Sequence, residues 1–229
     1  MDANKVVLYD FFDSNSAWRV RNVLYWKSIP FDTVSVNLMK GEQKSEEFGK
    51  LNPINTVPVL FIDGHYITQS VAICEYLEET RPEHPIFPTN SLDRARVRQI
   101  VEIINSYMVP LQNPATAQRA SKEVSEQTAW SLEFFQKGFT ALEHLISKTS
   151  GKYCVGDIVT FADMCLIGLV WRTKRFNPDP VNFPSIFRIY DELLKLPTFR
   201  LAHAASHRDC PPGLKDTLHL PIHFHDNPG

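Results

Sequence analysis

The residues best placed to do chemistry are Asp13-Ser14-Asn15-Ser16, directly before an amphipathic run from about Ala17 to Lys27 that sets Val20, Val23 and Leu24 on one face. A helix begins with N–H groups that have no partner inside it, and its dipole is positive there. Two hydroxyls and an amide at that point form a setting for an anion, a thiolate among them. A free thiol has a pKa of about 8.5, which helix termini and hydroxyl donors lower. A fall of about two units takes only about 2.7 kcal/mol of preferential stabilisation. Ser14 is the expected hydroxyl donor, with Ser16 or the Asn15 amide as a second. By identity alone the same residues read first as helix caps, and only the peptide receptor further along the chain favours the anion site.

A second constellation lies in LNPINTVPVLFIDGHYITQS, residues 51–70. Proline lacks an N–H, so Pro58 belongs at the first residue of a strand or in a special turn. Asp63-Gly64 between apolar runs is a hairpin signal. Ser70, ahead of the periodic Val71, Cys74 and Leu77, reads as an N-cap. A backbone edge at Val57-Pro58 beside a helix N-terminus at Gln69-Ser70 makes a receptor for the main chain and carboxylate of a small peptide.

These groups must be positioned by a small α/β unit. A strand at residues 6–9, the helix after Ser16, a strand at about 31–36, the hairpin and a helix ending near Glu79 give the order βαβ then ββα. That order implies a parallel pair joined by a helical crossover, plus an antiparallel pair. Residues 1–81 form this unit. TRPEHPIFPTN carries three prolines and no periodicity, which makes residues 82–90 the linker. Residues 91–205 read as all-helical, with stripes at Val97, Ile100, Val101, Ile104, Met108, then Trp130, Phe134, Leu142, Leu145, Ile146, and finally Ile186, Ile189, Tyr190, Leu193 and Leu194. Thr160 to Asp163 has capping-box spacing, with Ile158 as its apolar staple. Residues 206–229 read as an extended tail that wraps the surface or frays. Its His219, His223 and His225 come without a supporting ligand set, so no metal site is expected.

The chain has 229 residues, net charge −2 and an apolar fraction of 43%. No basic block points to nucleic acid or a membrane surface, and no apolar run nears the roughly 18 residues of a membrane span. The N-terminus lacks a signal-peptide core. Cys74, Cys154, Cys165 and Cys210 have no CxxC or metal spacing; Cys74 and Cys165 fall in apolar helical contexts. A reduced, cytoplasmic location fits.

The string Leu51–Ser70 resembles the glutathione-binding half of the thioredoxin-like domain in glutathione transferases. SNSAWRVR is similar to the S-S-C-S-W-R-V-R signature of the zeta class, the maleylacetoacetate isomerases. LNPINTVP, TQSVAICEYLEETRP, PLQN, KYCVGDIVTFAD and KRFN carry the likeness from about residue 5 to about 203. The resemblance implies a thioredoxin-like domain followed by an all-α domain, glutathione as cofactor, and a homodimer. It implies a cis Val57-Pro58 bond whose Val backbone pairs with the cysteinyl backbone of glutathione, and Gln69-Ser70 holding the γ-glutamyl carboxylate. Gln43 would be a further glutathione contact, Asn113 a helical-domain residue at the site, and Arg175 the clamp on a substrate carboxylate. The implied reaction is cis–trans isomerisation of maleylacetoacetate to fumarylacetoacetate in tyrosine breakdown, by reversible thiolate addition, rotation and expulsion.

Departures from the signature are specific. Asn15 replaces its second Ser, Ser16 its Cys, Asp13 an Arg, and Val109 a Gln common in the family. They leave two alternatives to the isomerase: a zeta-like transferase specialised in conjugation, dehalogenation or peroxide reduction, and a noncatalytic glutathione-fold binding module. Retention of Ser14 argues against the second alternative.

Overall fold

The computed structural model describes residues 4–176 and 178–215, apart from the side chains of Lys174 and Arg175. The chain divides into two compact units: the first runs to Pro85 and resumes at Leu196, and the second is Ile86–Lys195.

In the first unit β1 (Val7–Asp10), α1 (Asn15–Trp26), β2 (Asp32–Ser35), α2 (Glu46–Leu51), β3 (Val59–Ile62), β4 (His65–Thr68) and α3 (Ser70–Thr80) follow in order. The sheet order is β2-β1-β3-β4, with β2 parallel to β1 and the remaining pairings antiparallel. This is the thioredoxin-like arrangement. Strand residues Leu8, Val59, Leu60 and Ile62 are fully buried, as are Val20, Val23 and Leu24 of α1 and Ile73, Cys74 and Leu77 of α3. Those side chains fall on single helix faces, which is why both helices lie against the sheet. The charged end of Lys27 is buried as well, and it donates to Glu78 (2.7 Å) and to the carbonyls of Arg81, Glu83 and His84 (2.8, 3.2 and 3.3 Å). One ammonium thereby ties the start of the proline-rich linker to α1.

In the second unit α4 (Ser91–Glu102) passes through a π-helical turn, Ile103–Met108, into α5 (Val109–Leu111), followed by α6 (Pro114–Ala120), α7 (Val124–Thr149), α8 (Phe161–Arg172) and α9 (Pro184–Leu194). The buried face of α7 is Phe135, Phe139, Leu142 and Ile146; Trp130, Phe134 and Leu145 of the expected stripe are only half-buried. Every residue of α8 from Phe161 to Trp171 is buried. At its start Thr160 donates its N–H and hydroxyl to Asp163 (2.8 and 2.9 Å), completing the capping box, and Cys154 N–H donates to the other carboxylate oxygen (2.9 Å). Burial pushes the Asp163 pKa up against those donors. Ile158 is 55% exposed and staples nothing; the buried apolar neighbour of the cap is Val159.

One expected boundary differs. Their pattern groups residues 196–205 with the helices of the second unit, but α10 (Pro197–Ala202) packs on α1 of the first. Its apolar face, Phe199 and Ala202, finds its cover there, with Phe199 beside Trp26. The described start of the expected tail wraps rather than frays: His207 and Cys210 are buried ahead of α11 (Pro212–Lys215). His219, His223 and His225 lie outside the described residues. Among the described residues no His, Cys, Asp and Glu cluster could hold a metal ion, and no helix is long and apolar enough to cross a membrane. All four cysteines are free and buried.

Candidate active site

Strand register brings the two constellations together. Tyr9 pairs with Val59, and Val59 with Thr68. The carboxyl end of β1, the start of β3 and the end of β4 therefore share one end of the sheet. Ser14 follows β1, Val57-Pro58 precedes β3, and Gln69-Ser70 follows β4. Adjacent strands lie about 4.8 Å apart, so β1 and β4 are separated by about 10 Å. That is the reach of about three extended residues.

Ser14 is the N-cap of α1: its backbone is extended, its Oγ accepts from Ala17 N–H (3.3 Å), and its N–H donates to Phe11 O (3.0 Å). A hydroxyl carries one donor hydrogen and two acceptor sites. Capping uses an acceptor and leaves the hydrogen to donate elsewhere, so capping and anion support coexist at one atom. Asn15 and Ser16 occupy the first turn, where their N–H groups lack a helical carbonyl partner. Asn15 Oδ1 is buried without a hydrogen-bond partner among the described residues, and so is Gln43 Oε1, on the 3-10 turn Glu42–Lys44 beyond β2.

The Val57-Pro58 peptide is cis, and β3 begins immediately after it. Neither backbone polar group of Val57 is hydrogen-bonded among the described residues. Ser70 proves to be the first helical residue rather than the N-cap. Gln69 takes the cap position with φ +69°, and neither side chain caps α3. The tight turn out of β4 is made by the backbone of Gln69, which leaves the amide groups of the first turn of α3 without side-chain caps.

Residues 4–79 match the family model of the glutathione S-transferase N-terminal domain, and residues 108–200 that of the C-terminal domain. The maleylacetoacetate isomerase of Dictyostelium discoideum is 44% identical over 217 residues, covering 93% of this chain and 99% of that one. A bacterial maleyl pyruvate isomerase described as a zeta-class glutathione S-transferase superimposes with a TM-score of 0.85 at 31% identity, covering 90% of this chain and all of the other. The maleylacetoacetate isomerase of Anaeromyxobacter dehalogenans 2CP-1, solved with GSH bound in its active site, gives 0.83 at 33% identity, covering 90% of this chain and 98% of that one. The chain belongs to the zeta-class glutathione transferase family of maleylacetoacetate isomerases.

The first unit fits the family's cofactor on its own geometry. A peptide brings N–H donors and carboxylates, and this end of the sheet offers two buried orphan acceptors, an unpaired backbone edge and two helix N-termini. Ser14, Asn15, Ser16, Gln43, Val57, Pro58, Gln69 and Ser70 all belong to this unit. Asn113 and Arg175 belong to the second. Asn113 is exposed and caps α6, accepting from Ala115 N–H at 2.9 Å. Arg175 stands on the 3-10 turn Thr173–Phe176, and its side chain lies outside the described residues. Asp13 is half-buried, and its charge reaches the Cys210 thiol, whose pKa is raised by burial first and then, against Lys215, by Asp209 and Asp13.

Arg21 is not among the residues that the sequence pattern singles out. It is buried against Asp10, which it meets through both carboxylate oxygens (2.7 and 2.8 Å), and it reaches the carbonyls of Phe11 (3.4 Å), Phe12 (3.2 Å) and, through Nε, Ala202 (3.0 Å). The available signal was an Arg beside the buried face Val20, Val23, Leu24, because a guanidinium there requires an anion and carbonyls around it.

Proposed function

We propose that this protein catalyses the glutathione-dependent cis–trans isomerisation of maleylacetoacetate to fumarylacetoacetate, a step of tyrosine breakdown, and that it works as a cytoplasmic homodimer. The observation that carries the reading is the Ser14 hydroxyl at the N-terminus of α1, at the same sheet end as the peptide-receiving edge and the start of α3. Bound glutathione supplies a nucleophilic sulfur that adds to and leaves the substrate double bond.

The residues do the rest. Ser14 donates its hydroxyl hydrogen to the sulfur and favours the anion, and the first-turn amides of α1, with Asn15 and Ser16, add to that field. Val57 pairs with the peptide backbone, and the cis Pro58 sets the approach of that edge. Gln69, Ser70 and the start of α3 receive a carboxylate, and Gln43 adds a polar contact. From the helical unit, which serves as the substrate domain, Asn113 contributes a glutathione contact and Arg175 clamps a substrate carboxylate through its two-pronged guanidinium.

A second reading, conjugation of a neutral electrophile, is favoured by Asp13: a carboxylate one residue from Ser14 repels a dianionic substrate. The test runs two assays on purified protein with glutathione, conversion of maleylacetone and conjugation of a chloronitroarene. Turnover of maleylacetone is the expected result. Turnover of the arene alone would replace the isomerase by the conjugating enzyme, and no turnover of either, with no retention on immobilised glutathione, would leave only a binding module.

A further inference from the structure

A network of charges under the Ser14 loop joins it to the segment after α10. Asp10, at the carboxyl end of β1, is fully buried; it accepts from Phe11 N–H (2.6 Å) and from Arg21, and it meets His207 Nε2 at 3.0 Å. The other ring nitrogen of His207 meets Asp209, whose second oxygen accepts from the Ser35 hydroxyl (2.6 Å) at the end of β2. Arg208 donates to the carbonyl of Thr33 on β2. The segment is thus fastened across the carboxyl ends of β1 and β2, the end of the sheet that carries the site.

From Asp10 the network runs straight to the catalytic turn. Arg21 grips the carbonyls of Phe11 and Phe12, and the same Phe11 carbonyl accepts the Ser14 N–H. A neutral imidazole has a single N–H, yet His207 faces a carboxylate at each ring nitrogen. Only the doubly protonated ring donates to both. With it, Asp10 and Asp209 are balanced by Arg21 and His207; without it, one negative charge is left over in the network beside the loop.

We propose that His207 is a positioning residue for the reaction: by bridging the Asp10 and Asp209 carboxylates it holds Arg21, and through Arg21 it fixes the Phe11–Ser14 turn that presents the Ser14 hydroxyl. The proposal rests on the role given to Ser14 above. The charged groups facing His207 are Asp10 from β1, Arg21 from α1 and Asp209 from its own segment; β2 contributes the uncharged Ser35 through Asp209. Burial opposes the charge on His207 and Arg21 adds to the opposition, but the two carboxylates outweigh both, and the His207 pKa is raised. For a raised histidine the linkage is fully present below its ordinary value of about 6.5 and is lost as pH rises through the folded value.

The test uses the full chain with glutathione. In the wild type, nitrogen NMR of the His207 ring should show both nitrogens protonated at neutral pH, and isomerase activity should decline at alkaline pH in step with the ring's titration. His207→Gln should raise the pKa of the bound glutathione thiol by about one unit, which from about 6.5 is a roughly threefold loss of thiolate at pH 7. The loss should appear in kcat, with the KM for glutathione changed less than about twofold, and the alkaline decline should vanish. A singly protonated His207 at neutral pH overturns the proposal without any variant, should the variant fail to fold. So does a folded His207→Gln protein with unchanged thiol pKa and pH profile. If that variant is silent while Ser14→Ala raises the thiol pKa, this inference alone falls; a silent Ser14→Ala sinks the underlying reading instead.

Discussion

Removing the Ser14 hydroxyl separates its two duties. Ser14→Ala deletes the acceptor that caps Ala17 N–H at 3.3 Å, a long bond, so the loss of stability should sit near the middle of the N-cap range, about 1 kcal/mol. It also deletes the donor proposed for the sulfur. A hydrogen bond to a charged group contributes about 1.5–3 kcal/mol, and one pKa unit corresponds to about 1.4 kcal/mol. The bound thiol should therefore become less acidic by about one to two units, which from about 6.5 is a roughly three- to twenty-five-fold fall in thiolate at pH 7. Ser14→Gly is the control for the cap, because Gly at that position costs only a few tenths of a kcal/mol while removing the same donor. Ser14→Thr keeps both functions and should stay close to the wild type. The assay is an ultraviolet titration of the enzyme-bound thiolate, paired with thermal unfolding and kcat/KM. If the Ala and Gly variants keep the wild-type thiol pKa and only the melting temperature of the Ala variant moves, Ser14 is a cap and nothing more, and the argument for the thiolate site fails.

Other outcomes follow from single contacts. Thr160→Ala removes one arm of the capping box on buried α8 and should cost about 1–2 kcal/mol of stability while leaving kcat per folded molecule unchanged, as unfolding curves and active-site titration would show. Lys27→Met leaves Glu78 and the linker carbonyls without their buried cation and should destabilise by about 3–5 kcal/mol, read from denaturant midpoints; a change below about 1 kcal/mol would show that water replaces the ammonium. Asp63 is held at a pKa of about 2 by hydrogen bonds from Arg81 and then Tyr76. A lowered carboxylate stabilises above its ordinary value of about 4 and loses that contribution as pH falls towards 2. Its side chain is 42% exposed, so the pair contributes no more than about 1 kcal/mol. Asp63→Asn keeps the positive-φ turn that Asn tolerates, and should flatten the fall in melting temperature between those pH values.

Much of this was legible in the chain because local chemistry and global fold agree. The Asp63-Gly64 turn, the 3.6-residue stripes of α1 and α3 and the Thr160–Asp163 box each fix an element through short-range physics, and the structure contains all three. What escaped detection was long-range. Residues 196–205 look like another amphipathic helical stretch, and nothing in their spacing says which unit will cover Phe199 and Ala202. Asp10, Arg21 and His207 are separated by up to 197 positions, so their mutual need for neutralisation has no sequence period to betray it. Ser70 reads as a cap in the sequence because nothing there signals the positive φ of Gln69, a conformation few residues other than Gly and Asn enter.

The same register that assembles the site explains why its charge balance matters. Parallel β1 and β2 bring Asp10 beside Ser35, while antiparallel β3 and β4 carry Val57-Pro58 and Gln69-Ser70 to the same end. The positive N-terminus of α1 opens onto that end, and a buried Asp10 beneath it would cancel much of its field if left unpaired. Arg21 removes that penalty, and the same guanidinium nitrogen that meets Asp10 also reaches Phe11 O while its neighbour reaches Phe12 O, so neutralising the carboxylate and shaping the turn are one act of one guanidinium. An Arg21→Met change of similar reach would therefore damage thiol acidity twice, once through the loosened turn and once through the uncompensated negative charge of buried Asp10. The two contributions separate in an Asp10→Asn/Arg21→Met double variant, which restores neutrality but not the grip on the carbonyls.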